Sequence, residues 1–264
     1  MPIPARLIQT HRSEELAAAS RDTWLAHNAG FEYCFHDDAA CRNLIATRCP
    51  DLLATYDRLP LPVQKADMFR YAAIYLDGGI YADTDTRCCA GFDSYVSREL
   101  GGLVAGIEMS APEYREIEAY LPAYPVPHQL AQWTFAASAQ HAALAVMLRR
   151  IVWHVGLLTD AQLAEWSKSM RFTLQLTGPV MFTQVCNEFL SGTREGALAV
   201  LPRLAWGSWP FEHERPELAG QIKVRHLFEG SWKSEKDRLQ QSPTTSATPS
   251  AATATKLHYG FKLA

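Results

Sequence analysis

The chain has 264 residues, 48% hydrophobic and 20% charged, enough for one large domain with a sizeable core, with or without a tail. A net charge of −3 with no basic run argues against a nucleic-acid or polyanion partner. No apolar stretch approaches the roughly 20 residues of a membrane span. Pro2, Pro4 and the polar run from Gln9 to Arg12 interrupt the place where a signal peptide would carry its apolar segment. As written, the chain reads as soluble and cytoplasmic, with the Golgi lumen as the alternative if an anchor precedes this sequence. The six cysteines, Cys34, Cys41, Cys49, Cys88, Cys89 and Cys186, form no C-x-x-C pair and no zinc spacing. Most read as small buried apolar residues, and nothing requires a disulfide.

In chain order, Ala5 to Thr10 reads as a strand and Glu14 to Asn28 as a helix ending near Gly30. Phe31 to His36 alternates like a second strand, and helical segments broken at Pro50, Pro60 and Pro62 follow. Val63 to Leu76 forms a helix with an apolar stripe at Ala66, Phe69, Ala73 and Leu76, stopped by Gly78 and Gly79. Ile80 to Asp83 is a short strand, and Gly102 to Glu108 another. Gln140 to Val155 and Pro179 to Leu190 are helices, the second with proline in its first turn. Ile222 to His226 reads as a last strand or a loop entry. From Gln240 to Thr255 the chain is rich in Ser, Thr, Pro and Ala with no hydrophobic period, which predicts a disordered tail. Leu257, Tyr259, Phe261 and Leu263 alternate beyond it, a pattern that suits a docked strand. The domain expectation is therefore a folded unit over 1–239 and a tail over 240–264. The alternation of strands and helices predicts an α/β sheet with helices on both faces.

The sharpest chemistry lies in Tyr81-Ala82-Asp83-Thr84-Asp85-Thr86. Two carboxylates one residue apart at a strand end can face one hard cation, which prefers oxygen ligands. Such a cation stabilises a departing diphosphate. An isolated triplet of this kind is more often a solvated turn. Its surroundings are specific: Lys65-Ala66-Asp67-Met68-Phe69-Arg70-Tyr71 precedes it, then Tyr75-Leu76-Asp77-Gly78-Gly79-Ile80-Tyr81. Asp67 and Arg70 share a helix face, either as a solvated ion pair or as groups that reach a sugar. Tyr81 is either a core ring or a ring beside a ligand.

This run resembles the sugar-binding region of the family 32 glycosyltransferases, and more distantly the large clostridial glucosylating toxins. In that family a helix bearing Asp and Arg leads through Gly-Gly-x-Tyr into a metal-binding Asp-x-Asp. The resemblance continues elsewhere. Ile3-Pro4-Ala5-Arg6-Leu7-Ile8-Gln9-Thr10 is similar to the family's opening strand, with Ile8 where His is usual. It implies that Gln9 and Thr10 line the donor pocket; without it they are ordinary strand-end residues. Gln132-Trp133-Thr134 with His141, and Thr177-Gly178-Pro179 with Phe182-Thr183, resemble segments of the fungal α-1,6-mannosyltransferases that initiate outer-chain growth. Ala142 stands where that pattern has proline. The Thr-Gly-Pro segment also reads simply as a helix start. His226-Leu227-Phe228-Glu229-Gly230-Ser231-Trp232-Lys233 resembles the family's closing His-x-x-x-Gly-Ser-Trp-Lys.

The resemblance implies a GT-A-like α/β fold with a mixed, mostly parallel sheet. It implies a retaining hexosyltransferase that uses Mn²⁺ or Mg²⁺, a nucleotide-sugar donor and a glycan or glycolipid acceptor. GDP-mannose is the first choice and a UDP-sugar the alternative. Asp83, Asp85 and His226 are the expected metal residues. Gln9, Thr10, Asp67, Arg70, Tyr81, Asp83, Ser231, Trp232 and Lys233 are the expected donor residues, and Asp67, Arg70, Asp83 and Asp85 carry catalysis. Two other classes compete: a phosphohydrolase with Asp83 as nucleophile, and an inactive sugar-binding module.

Overall fold

The computed structural model describes residues 1–110, 128–191 and 198–229. Ser231, Trp232, Lys233 and the tail from Gln240 lie outside the described residues.

Strand β1 (Arg6–Thr10) is followed by helix α1 (Glu14–His27) and strand β2 (Glu32–His36), which lies parallel to β1. Glu14 and Glu15 sit in the first turn of α1, where negative charge favours the helix N-terminus. Asn28 ends the helix; its amide donates to the Trp24 carbonyl at 2.9 Å and its side-chain oxygen accepts from Phe92 N at 2.7 Å. Helices α2 (Asp38–Arg48), α3 (Pro50–Arg58) and α4 (Pro62–Asp77) carry the chain to strand β3 (Gly79–Ala82). Asp37 caps α2 by accepting from Ala40 N, and prolines open α3 and α4.

Strand β3 lies parallel to β1 on one side and antiparallel to β6 (His128–Ala137) on the other. Strand β5 (Leu103–Ser110) pairs antiparallel with β6 and parallel with β7 (Leu198–Leu201). The six-stranded order is β2-β1-β3-β6-β5-β7. Only β6 runs against the rest, so the sheet is mixed and mostly parallel, as expected. Strands β6 and β7 were not foreseen. In β6 nearly every residue is buried, so the two-residue alternation that marks a half-exposed strand is missing.

The pleat divides the core in two. Ile8 pairs with Tyr81 and faces the helices; Leu7 pairs with Ile80 and faces Trp24, Phe92 and Trp206. Helix α5 (Ala142–Gly156) starts at His141, whose imidazole accepts from Ala143 N. It packs on α4 and on α8 (Pro179–Ser191); between them come the short helices α6 (Asp160–Trp166) and α7 (Met170–Leu176). Two further short helices, α9 (Arg203–Trp206) and α10 (Pro210–His213), lead to strand β8 (Val224–His226). Strand β8 pairs antiparallel with β4 (Thr86–Cys88) in a separate two-stranded ribbon. No single helix among the described residues is long and apolar enough to cross a membrane.

Helix α4 is not the half-exposed helix its apolar stripe suggests. From Asp67 to Ile74 every residue is buried. Its N-terminal turn is tied down by Gln64, which donates to Ser167 Oγ and Thr173 Oγ1 at 3.0 Å each. Gly78 (φ 66°) and Gly79 (φ 107°) then turn the chain into β3 through backbone conformations that side chains resist. A Cβ on Gly79 would lie 2.7 Å from the Arg6 carbonyl oxygen, so glycine also lets β3 close on β1.

Candidate active site

Helix α4 and strand β6 meet over a buried polar network. Asp67 is 1% exposed and Arg70 4%. They form an ion pair at 3.3 Å, so the solvated-face reading of this pair does not hold. Both Asp67 oxygens are engaged. Oδ1 accepts from Gln132 Nε2 at 3.0 Å, and Oδ2 accepts from Thr177 Oγ1 at 2.8 Å. Arg70 donates to Gln132 Oε1 at 2.8 Å and to its carbonyl at 3.1 Å. Tyr71 OH donates to the Thr177 carbonyl at 2.9 Å and lies 3.2 Å from Gln132 Oε1. Thr177 closes α7 just before Gly178 and Pro179 open α8, so the Thr-Gly-Pro segment serves as a helix junction and as a partner of Asp67. Burial lifts the Asp67 carboxyl, against Arg70, Gln132 and Thr177.

Strand β3 delivers the acidic pair at its end. Asp83 N donates to the Trp133 carbonyl at 2.8 Å, so β6 fixes where the turn begins. Asp83 Oδ1 accepts from Tyr81 OH at 2.7 Å and lies 3.2 Å from Arg70 Nη2. The Tyr81 ring is fully buried and carries the Arg70 guanidinium 4.5 Å from its centre. Burial pushes the Asp83 carboxyl up to about 6; Arg70 opposes this and the charge of Asp85 adds to it.

Asp85 faces the other way. Its Oδ2 lies 3.2 Å from His226 Nε2 and accepts from Glu229 N at 3.2 Å. Its carbonyl accepts from Leu227 N at 2.8 Å. Burial raises its carboxyl, but His226 and the backbone N–H groups outweigh that and hold it below the usual range. His226 stacks on the Trp133 ring, centroids 4.3 Å apart and planes 17° apart, with Phe228 at 4.2 Å on another side. Trp133 is itself held by Glu108, which accepts its indole N–H at 3.1 Å.

Thus Asp67, Arg70, Tyr81, Asp83, Asp85 and His226 are brought together. Gln9 and Thr10 sit behind them. Gln9 is fully buried and donates to Ser20 Oγ and to the carbonyls of Ala82 and Asp83, beneath the acidic turn. Thr10 donates to the His36 carbonyl at 2.8 Å, between β1 and β2. The sequence reading missed Thr86, which donates to the Asp83 carbonyl at 2.6 Å and accepts from Trp24 Nε1 at 3.0 Å. It also missed Glu108. Glu108 carries no local signal, since Trp133 is distant in the chain; the Thr86 bond to Asp83 is local, but its tie to Trp24 is not.

Among the described residues no three His, Cys, Asp or Glu side chains converge on one point. Asp67 is buried and Asp83 and Asp85 are partly buried, with one guanidinium, Arg70, beside Asp67 and Asp83. Asp85 and His226 supply an oxygen and an imidazole at 3.2 Å from each other, and Asp83 Oδ2 carries no hydrogen bond among the described residues. Excess partly buried negative charge with so few protein ligands suits a hard divalent ion that takes its other ligands from water and substrate phosphates.

An α/β sheet with one antiparallel strand, and an acidic pair at the end of β3, defines a GT-A-like nucleotide-sugar transferase fold. The glycosyltransferase domain from the YGT toxin has the same fold, with a TM-score of 0.50 at 8% identity, covering 75% of this chain and 80% of that one. Residues 14–100 match the family described as the glycosyltransferase sugar-binding region containing a DXD motif. That match covers about a third of the chain and includes helix α4, strand β3 and the acidic pair. It is 27% identical over 252 residues to the initiation-specific alpha-1,6-mannosyltransferase of Schizosaccharomyces pombe, covering 80% of this chain and 59% of that relative. It is 33% identical over 89 residues to inositol phosphoceramide mannosyltransferase 3 of the same organism, covering 33% of this chain and 25% of the relative. The chain thus spans about three fifths of the first relative's length and a quarter of the second's.

Proposed function

We propose that this protein is a retaining, metal-dependent hexosyltransferase that takes mannose from GDP-mannose and passes it to a glycan or glycolipid hydroxyl. The observation that carries this reading is the divided acidic pair: Asp83 turned to Arg70 and Tyr81, Asp85 turned to His226. The relatives named as mannosyltransferases support the choice of sugar.

Asp85 and His226, with Asp83 on the near side, would hold a divalent ion, Mn²⁺ or Mg²⁺. When bound, such an ion supplies Lewis-acid stabilisation of a departing diphosphate. Arg70 would face the sugar hydroxyls from a fixed position, because Asp67, Gln132 and Tyr81 hold its guanidinium on three sides. Asp67 has both oxygens occupied and would act by orienting Arg70 and Gln132. Ser231, Trp232 and Lys233 complete the proposed donor set on the strength of the closing motif alone. The leaving diphosphate can itself guide the acceptor hydroxyl to the face it leaves, a route that retains configuration without a protein nucleophile.

A panel of GDP- and UDP-sugars, scored for Mn²⁺-dependent transfer and donor hydrolysis, tests the proposal. Turnover of GDP-mannose above all others is expected. Preference for a UDP-sugar would move the donor assignment, and turnover undiminished in EDTA would remove the metal from the mechanism.

A further inference from the structure

The ribbon that carries His226 holds a second, unassigned feature. Arg87 of β4 stands directly opposite Arg225 of β8. Directly opposed residues of an antiparallel pair put their Cβ atoms about 5 Å apart on one face, and like charges there repel. Both side chains are half-buried. Neither makes an ion pair among the described residues, and Arg225 Nε is buried without a hydrogen-bond partner. Arg87 bends back along the acidic turn, where its Nη1 donates to the carbonyls of Thr84 (3.4 Å) and Thr86 (2.7 Å). Its Nε and Nη2 donate to nothing among the described residues. Burial, then the charge of Arg225, pushes the neighbouring His213 imidazole down, against the Ser208 backbone and the charge of Glu212. On the opposite face of the same ladder, Thr86 pairs with His226 and serves the acidic site.

Two arginines opposed on one face of the ladder, with N–H groups unpaired among the described residues, suit an oxyanion, and an anion between them turns their repulsion into attraction. We propose that Arg87 and Arg225 form a phosphate-binding site beside the Asp-x-Asp turn. The phosphate has two chemical sources: the diphosphate of a nucleotide-sugar, or a phosphate group carried by the acceptor. The second would define the acceptor as a phosphorylated molecule. Only this choice of source rests on the glycosyltransferase reading.

The site itself is tested with inorganic phosphate on the full chain in chelated, metal-free buffer. The melting temperature of the wild type should rise with phosphate. Arg225→Gln should melt no lower than the wild type without phosphate, because it relieves repulsion, whereas Arg87→Gln also loses its bonds to Thr84 and Thr86 and should melt lower; both should lose the phosphate-dependent rise. Arg42→Gln, on a surface pair with Asp57, should keep it. If both ribbon variants keep the rise, or the wild type shows none, the proposal is overturned, whatever the sugar chemistry. GDP and UDP with Mn²⁺, against glycerol 3-phosphate, separate the sources. A roughly tenfold loss of nucleoside diphosphate affinity in the variants assigns the donor. Unchanged nucleotide affinity with loss of glycerol 3-phosphate binding assigns the acceptor. If the variants bind all of these ligands as the wild type does, the site is refuted.

Discussion

Asp83 and Asp85 are one residue apart yet answer to different partners, and substitutions should separate them. Asp85→Asn keeps the shape and removes the charge that faces His226. Transfer should fall at least a hundredfold, on the order of 3 kcal/mol of transition-state stabilisation. Near-normal rate and metal dependence in a Mn²⁺ titration would defeat the metal assignment. Asp67→Asn removes a buried charge from Arg70 and Gln132, at about 1–3 kcal/mol of stability. It should lower kcat while leaving Mn²⁺ affinity unchanged, because Asp67 lies behind Arg70; a parallel loss of metal affinity would contradict that. The acidic pair and the Asp67–Arg70 helix face were legible in the sequence because their spacing is local. Their burial was not. It depends on Gln132 and Thr177, which come from β6 and α7 far along the chain. The role of Glu108 was invisible for the same reason, as it acts through Trp133.

At the level of elements, the junction between α4 and β3 is the most constrained point. Gly79 combines φ of 107° with a 2.7 Å approach of its missing Cβ to the Arg6 carbonyl. Gly79→Ala should cost about 2–4 kcal/mol, from backbone strain and from the forced separation of β1 and β3. Urea titration would show it; a loss under 1 kcal/mol would mean that the two strands can part cheaply. The Gly-Gly stop announced this junction, and alternation and prolines marked the early strands and helices. Strand β6 did not announce itself, because a central strand buried on both faces reads like any short apolar run. The bulged register between β5 and β6 went unread, although Gly106 sits at the first shift, between Ala105 and Ile107.

For the molecule as a whole, pH acts on stability through half-buried imidazoles such as His36. Burial holds His36 below its usual value, against the Cys34 backbone and the charges of Asp77 and Asp37. The unfolded chain therefore binds a proton at higher pH than the folded one. The stability that neutral His36 provides is present above its unfolded pKa and is lost as pH falls through the folded value. Asp83 works with the opposite sign between its unfolded value and about 6, so the comparison must be made against a variant. From pH 7.5 to 5.5 the wild type should lose urea stability relative to His36→Gln; parallel curves would exclude His36 as the cause. The domain boundary drawn from composition gives a separate expectation. A chain cut after Lys236 should retain transfer activity, since residues 240–255 have little apolar surface with which to offset ordering. A large loss would show that the tail belongs to the working enzyme.

The two-stranded ribbon has a kinetic meaning. Asp85 meets His226 only where β4 pairs with β8, outside the six-stranded sheet. A ribbon of three paired residues is weak on its own, and local openings need not involve the main sheet. The candidate centre can therefore come apart while the rest of the protein stays folded. In hydrogen exchange, the amides of Cys89 and Leu227, which bridge this ladder, should open sooner than those of β3 and β6. Nucleotide with Mn²⁺ should slow them selectively. In rising denaturant, activity should vanish before the sheet does, so loss of turnover would report the fastening of one short ribbon.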